Sequence, residues 1–138
     1  MPNPKPTFNK IKKELIAEQR ARFIAEVRHI GWIAYQIAAG QPYNEVINDD
    51  QLKSLLDGIR FQDERPDSTP EQNHDNWMKM KISQGWIYGE VKDFTKKTHP
   101  DLVPYNNLPE IEQKKDIANT LVHKMAVRLW DAQNSSNR

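Results

Sequence analysis

NHDNWMKMKISQGWIYGEVKDFTKKTHPDLVPY, residues 73–105, passes from a helical pattern through a glycine into an alternating one. Up to Gly85 its pattern is helical: His74, Trp77 and Lys81 stand at i, i+3 and i+7 and share one face, while Met78 and Ile82 point elsewhere. Gly85 occupies the position just past a helix end where a left-handed residue is favoured. The period then drops to two, with Trp86, Tyr88 and Glu90 alternating with Ile87, Gly89 and Val91, which predicts a short strand. Residues 102–105 offer an antiparallel partner across a loop holding Asp93, Lys96, Lys97 and Pro100. Two short strands among prolines make only a small ribbon, and it needs helices to pack against.

Outward from there, Ser68 or Thr69 before Pro70 caps the helix that ends near Gln84, and residues 63–70 form a polar loop. Upstream, Asn48, Asp49 and Asp50 offer caps for a helix over residues 51–61 with Leu52, Leu55, Leu56 and Ile59 inward, although Gly58 weakens its end. A long helix starts at Phe8 or Asn9 and runs to about Ala39, where Gly40, Gln41 and Pro42 stop it. Ile16, Phe23, Val27, Ile30, Ala34 and Ile37 form its apolar stripe, and Lys10, Lys12 and Lys13 make its first turns polar. Downstream, Pro109 sits in a first turn with Glu110 and Glu112 near the positive end of the helix dipole. That helix reaches about Trp130, with Ile111, Ala118, Leu121, Val122, Met125 and Leu129 inward.

The expected architecture is mainly α (α+β): four helices and a two-stranded antiparallel ribbon. Residues 1–8, with three prolines, are expected to be a disordered lead, residues 9–132 one domain with its motif region at 64–132, and residues 133–138 a polar tail. The echo of Gly85-Trp86-Ile87 in Gly31-Trp32-Ile33 lies in a different period and is read as coincidence.

Several motifs in order give the chain a family likeness. His74 and Trp77 fit H-x-x-W, and residues 85–89 fit G-W-x-Y-G. Residues 97–105 supply Lys97, His99-Pro100 and Leu102-Val103-Pro104-Tyr105, and Leu108-Pro109 opens a charged helix. The chain resembles the RyR domain, a module repeated in the cytoplasmic part of ryanodine receptors and found as small free-standing proteins of bacteria and phages. The resemblance implies a helical fold and a binding role, with an adenine-nucleotide site at Trp77 and Lys81. Asp101 departs from relatives that carry a neutral or basic residue there; an acid disfavours a polyphosphate but accommodates a base or nucleoside whose charge is directed toward Lys81.

Composition narrows the classes. With 138 residues, 37% hydrophobic and 28% charged, the chain is expected to hold one core, and without cysteine it has no disulfide, thiolate site or cysteine nucleophile. No run is long and apolar enough to span a bilayer, residues 1–13 lack a signal-peptide core, and a cytoplasmic protein is expected, in the host cytoplasm if phage-encoded. A net charge of +1 argues against a duplex nucleic-acid binder. Phosphate-loop, nucleophile-elbow and HExxH patterns are missing, and His99 with Asp93 and Asp101 matches no metal spacing, so neither catalysis nor a cofactor is expected.

The ligand-binding set expected from the sequence is His74, Trp77, Lys81, Trp86, Tyr88, Lys97, His99 and Tyr105. An aromatic plane beside a lysine lets a base stack while the ammonium neutralises phosphate, and Lys96, Lys97 and His99 add donors. Each residue also has an ordinary role: Trp77 and Trp86 as core, Tyr88 and Tyr105 as ribbon caps, the lysines as solvated loop, the histidines as satisfied hydrogen-bonders. The expected function is a non-catalytic small-molecule binder for an adenine-nucleotide or ADP-ribose-type ligand, acting as sensor or sequestering protein. The alternative is an assembly module in which the same aromatics form a core or a homodimer surface, with the long first helix as the dimer element.

Overall fold

Helix starts coincide with side chains that can accept orphan backbone N–H groups. In the computed structural model, which describes residues 7–135, Thr7 accepts from Lys10 N at the head of α1 (Phe8–Ala39). Asn48 and Gln51 form a reciprocal capping box on α2 (Asp49–Glu64), and Thr69 and Gln72 form another on α3 (Pro70–Ser83). Pro109 precedes α4 (Glu110–Asn134), whose first turn carries Glu110 and Glu112. Gly40 closes α1 at φ 68°, donating to the carbonyls of Gln36 and Ile37. The expected lead of residues 1–8 lies outside the described residues except for Thr7 and Phe8, and Phe8 already belongs to α1. Of the expected tail, residues 136–138 lie outside them, and α4 runs on to Asn134.

The strands differ from expectation. β1 (Ile87–Tyr88) pairs with β2 (Thr98–His99), not with residues 102–105, and the register Ile87 with Thr98 and Tyr88 with His99 is parallel. The cause is the turn between them, where Asp93 Oδ1 accepts from Thr95 N and Lys96 N and bridges to Thr98, bringing Thr98 and His99 to β1 first. Pro100 and Pro104 then lack ladder donors, and Tyr105–Asn107 is a turn of 3-10 helix. Two residues per strand make a clip rather than a ribbon.

That clip is tight. A Cβ on Gly89 would lie 2.5 Å from Thr98 Cβ, so Gly89→Ala is expected to cost about 1–3 kcal/mol, read as a lower urea midpoint. An unchanged midpoint would mean that the clip can part freely.

The helices surround a small core of Ile24, Ala25, Ile59 and Ala126, flanked by Phe23, Val27, Leu52, Leu55 and Val127. α1 and α4 run antiparallel, since Phe23 meets Trp130 at one end and Gln36 meets Lys115 at the other. The hydropathy stripes hold only in part: Phe23, Val27 and Val122 pack between the helices, but Ile30 (64%), Ile37 (59%), Leu121 (58%) and Met125 (59%) are exposed. His29, Gln36, Glu112, Lys115, Thr120 and His123 are buried instead. Ile82 of α3 is likewise outward, while His74 and Lys81 point in. The inward faces enclose a polar cleft, which claims the polar residues. Among the described residues no helix is long and apolar enough to cross a membrane.

Candidate functional site

The cleft occupies about 840 Å³ between α1, α3, α4 and the loops after β1 and β2. Adjoining it is a smaller recess of about 160 Å³ reached by α2 and the start of β1, and Arg28, Trp32, Trp77, Lys92, His99 and Asn119 line both spaces.

The shared wall is aromatic. Trp77 lies 5.5 Å from the His74 ring at 30° and meets the edge of His99 at 5.0 Å. Trp32 stacks on His29 at 5.2 Å, and His29 is fixed by a 2.8 Å hydrogen bond between its Nε2 and Asn44 O. Lys92, rising from an exposed loop, places its ammonium 5.4 Å from the Trp32 ring and 5.3 Å from the Phe94 ring, within cation–π range of both. Burial and then Lys115 lower its pKa.

His74 holds the outer end of the cleft. Its Nε2 donates to Val103 O at 2.8 Å, and its Nδ1 lies 3.0 Å from Asp116 Oδ2, an ion-pair distance without good hydrogen-bond alignment. Burial lowers its pKa, but Asp116 outweighs burial and the pKa is raised. His99 has the opposite fate. Burial, then Lys92 and Lys81, push it down to about 3, and its Nδ1 accepts from Asp101 N, so the neutral ring carries its proton on Nε2.

The floor is ionic. Lys115 donates to Gln36 Oε1 at 2.5 Å, to Gln41 Oε1 and to Glu112 Oε1 at 3.1 Å, while Gln41 donates to Glu112 at 3.0 Å. Burial, then Glu112, push Asp101 up to about 7. Burial alone would raise Glu112 too, but hydrogen bonds from Asp101, Gln41 and Lys115 hold it low. Near neutral pH the pair therefore shares a proton, and the acid at Asp101 repels an anion less than a free carboxylate would.

Of the residues expected from sequence, His74, Trp77 and His99 line the cleft, and Trp77, Lys81, Trp86 and His99 line the recess. Tyr88, Lys97 and Tyr105 line neither. Tyr88 is 55% exposed on the far side of the clip. Lys97, in the left-handed region at φ 54°, turns its ammonium back to Gln84 O at 2.7 Å and toward Asp50 at 3.9 Å. Tyr105 packs edge-on at 6.2 Å from His74, behind that ring.

The sequence reading missed Arg28, Trp32, Ser54, Lys92, Phe94 and the Asp101-Glu112-Lys115 floor. A signal for part of this existed: Arg28, Trp32 and Gln36 recur every four residues on one face of α1.

A mainly helical domain with an aromatic cleft on an ionic floor is a domain of the ligand-binding or interaction type. Residues 62–129 match the family model for the RyR domain, and this segment belongs to that family. The segment contributes Trp77, Lys81, Trp86 and His99, whereas Arg28, Trp32 and Ser54 come from the helices before it.

Proposed function

We propose that the cleft binds a small nucleotide-like molecule without catalysis, as an intracellular sensor or sequestering protein. The observation that carries this reading is the convergence of Trp32 and Trp77 on one cavity with the ammonium of Lys92 over the Trp32 ring. A base stacked on such a ring contributes about 1–3 kcal/mol, and the neighbouring cations favour an attached anion. The volume suits a ligand of mononucleotide to small dinucleotide size.

A thermal-shift screen against adenosine, AMP, ADP, ATP, ADP-ribose, its cyclic isomers and cyclic dinucleotides tests it. A ligand at 100 times its dissociation constant stabilises the native state by about 2.7 kcal/mol, several degrees for a domain of this size. The shift is expected with at least one compound and lost in Trp77→Ala, with the helical circular dichroism retained. No shift from any compound would sink the reading.

A second reading has its own support. Ile30 and Ile37 on α1 and Leu121 and Met125 on α4 leave apolar side chains in solvent on two helices packed side by side. We propose that, if the cleft takes no ligand, these faces pair two copies as a homodimer. Light scattering then gives twice the chain mass, and Met125→Lys gives the monomer mass.

A further inference from the structure

We infer that the smaller recess is a subsite for one compact oxyanion, held by Arg28 and Ser54 from the lead-in helices together with Lys81 and Trp86. This deepens the nucleotide reading and rests on it: the ring lies between Trp32 and Trp77, and the anionic group points into the recess.

The recess is a wall of donors. Arg28 Nε, Ser54 Oγ and Trp86 Nε1 are buried without a hydrogen-bond partner, and all three residues line it. A buried donor left unpaired costs about 1–3 kcal/mol, so three on residues that line one space favour an acceptor placed there. Trp86 itself is 3% exposed and Lys81 is 8% exposed. His99 adds its Nε2–H, because its other nitrogen is occupied by Asp101 N.

Charge points the same way. No Asp or Glu lines the recess, whereas Asp101, Glu112 and Asp116 all line the outer cleft. Among the described residues neither Arg28 nor Lys81 has a carboxylate within ion-pair distance. Burial lowers Arg28 to about 10 and Lys81 to about 8, and the more distant carboxylates of Asp63 and Asp50 offset it only in part. Gly58 helps to seat the arginine, since a Cβ there would come within 3.2 Å of Arg28 Nη2, while Nη1 lies 3.3 Å from His123 Nδ1.

The two spaces therefore differ in polarity, donors without acids in the recess and acids paired with Lys115 in the cleft. A ligand with one terminal phosphate or carboxylate and a hydroxylated or amino-bearing opposite end fits that polarity. A polyphosphate fits less well, because the recess is about 160 Å³.

The test is a ¹⁵N–¹H spectrum of the intact chain, in which the Trp86 indole and Arg28 Nε–H resonances report the recess and the Trp130 indole is the control. Sodium phosphate, sodium acetate, adenosine and AMP are titrated separately. Phosphate or acetate is expected to move Trp86 and Arg28 but not Trp130, and the stronger of the two names the anion. AMP is expected to bind about tenfold or more tighter than adenosine, a preference lost in Lys81→Met and reduced in Ser54→Ala. If adenosine and AMP bind equally and leave Trp86 unmoved, the subsite is overturned while the nucleotide reading stands. If phosphate moves Trp86 but neither nucleoside nor nucleotide binds, the subsite stands and the nucleotide reading falls. Silence of Trp86 and Arg28 in every titration overturns the subsite.

Discussion

Lys115→Met is expected to destabilise the fold by about 3–5 kcal/mol at pH 7, the loss typical of a buried ion pair deprived of one partner. Lys115 and Glu112 are both buried, and the ammonium ties α4 to α1 and to the loop after it through Gln36 and Gln41. Methionine matches the stem but leaves the Glu112 carboxylate without its cation and two amide oxygens without a donor. Glu112 can escape only by taking a proton, so the defect is expected to shrink as pH falls toward 5. Lys115→Met combined with Glu112→Gln is expected to recover most of the loss. Urea unfolding of the three proteins measures this, and a loss under about 1 kcal/mol would mean that water already screens the pair.

Stability is expected to rise with pH between about 4.5 and 6 by roughly 1.4 kcal/mol per unit, a net uptake of one proton on unfolding. His99 and His123 are held at about 3 and about 4, far below the 6.5 of an unfolded histidine. For His123 the causes are burial and then Arg28, whose Nη1 takes up its Nδ1 while Nε2 donates to Asp63 at 3.2 Å. Their contribution is complete above 6.5 and is lost as pH falls, because the unfolded chain takes two protons that the native state refuses. Asp101 works the other way. Its native value of about 7 against 3.8 unfolded lets the native state keep one proton in that window, which leaves a net of one. His74, raised by Asp116, adds stability below 6.5 that fades at higher pH, so the optimum falls near 6.5 to 7. Chemical denaturation across pH 4 to 8 reads the slope, and His123→Gln should flatten the acid side. A level profile from 4.5 to 6.5 would show that these rings ionise in place.

The helix starts and the Gly40 stop were legible in the sequence because capping is local chemistry: Asn48 with Gln51, Thr69 with Gln72, and Gly40 all act within a few residues, whereas α2 runs on to Glu64, into the expected loop, and α4 runs past Trp130 to Asn134. The faces of α1 and α4 were legible only in part, at Phe23, Val27 and Val122, because hydropathy assumes that all apolar residues turn inward. Here Arg28, Trp32, Gln36 and Lys115 turn inward around a cavity and leave Ile30, Ile37, Leu121 and Met125 outside. The strand partner was missed for a similar reason, since the Asp93 turn rather than side-chain alternation chose Thr98 and His99. Within the site, helical spacing placed His74, Trp77 and Lys81 on one face, and that face does line the cavities. Trp32, in an echo read as coincidence because its period differs, could not be placed from sequence, since its packing against Lys92 joins residues 60 positions apart, beyond any local pattern.

Stacking of a base in the cleft at Trp77 is read directly by saturation-transfer difference NMR on a mixture of the chain with AMP. Strong saturation is expected at the H2 and H8 protons of adenine, weaker at the ribose, and none in Trp77→Ala with its fold retained. Equal signals in the wild type and Trp77→Ala would place the base elsewhere and rule out stacking at Trp77.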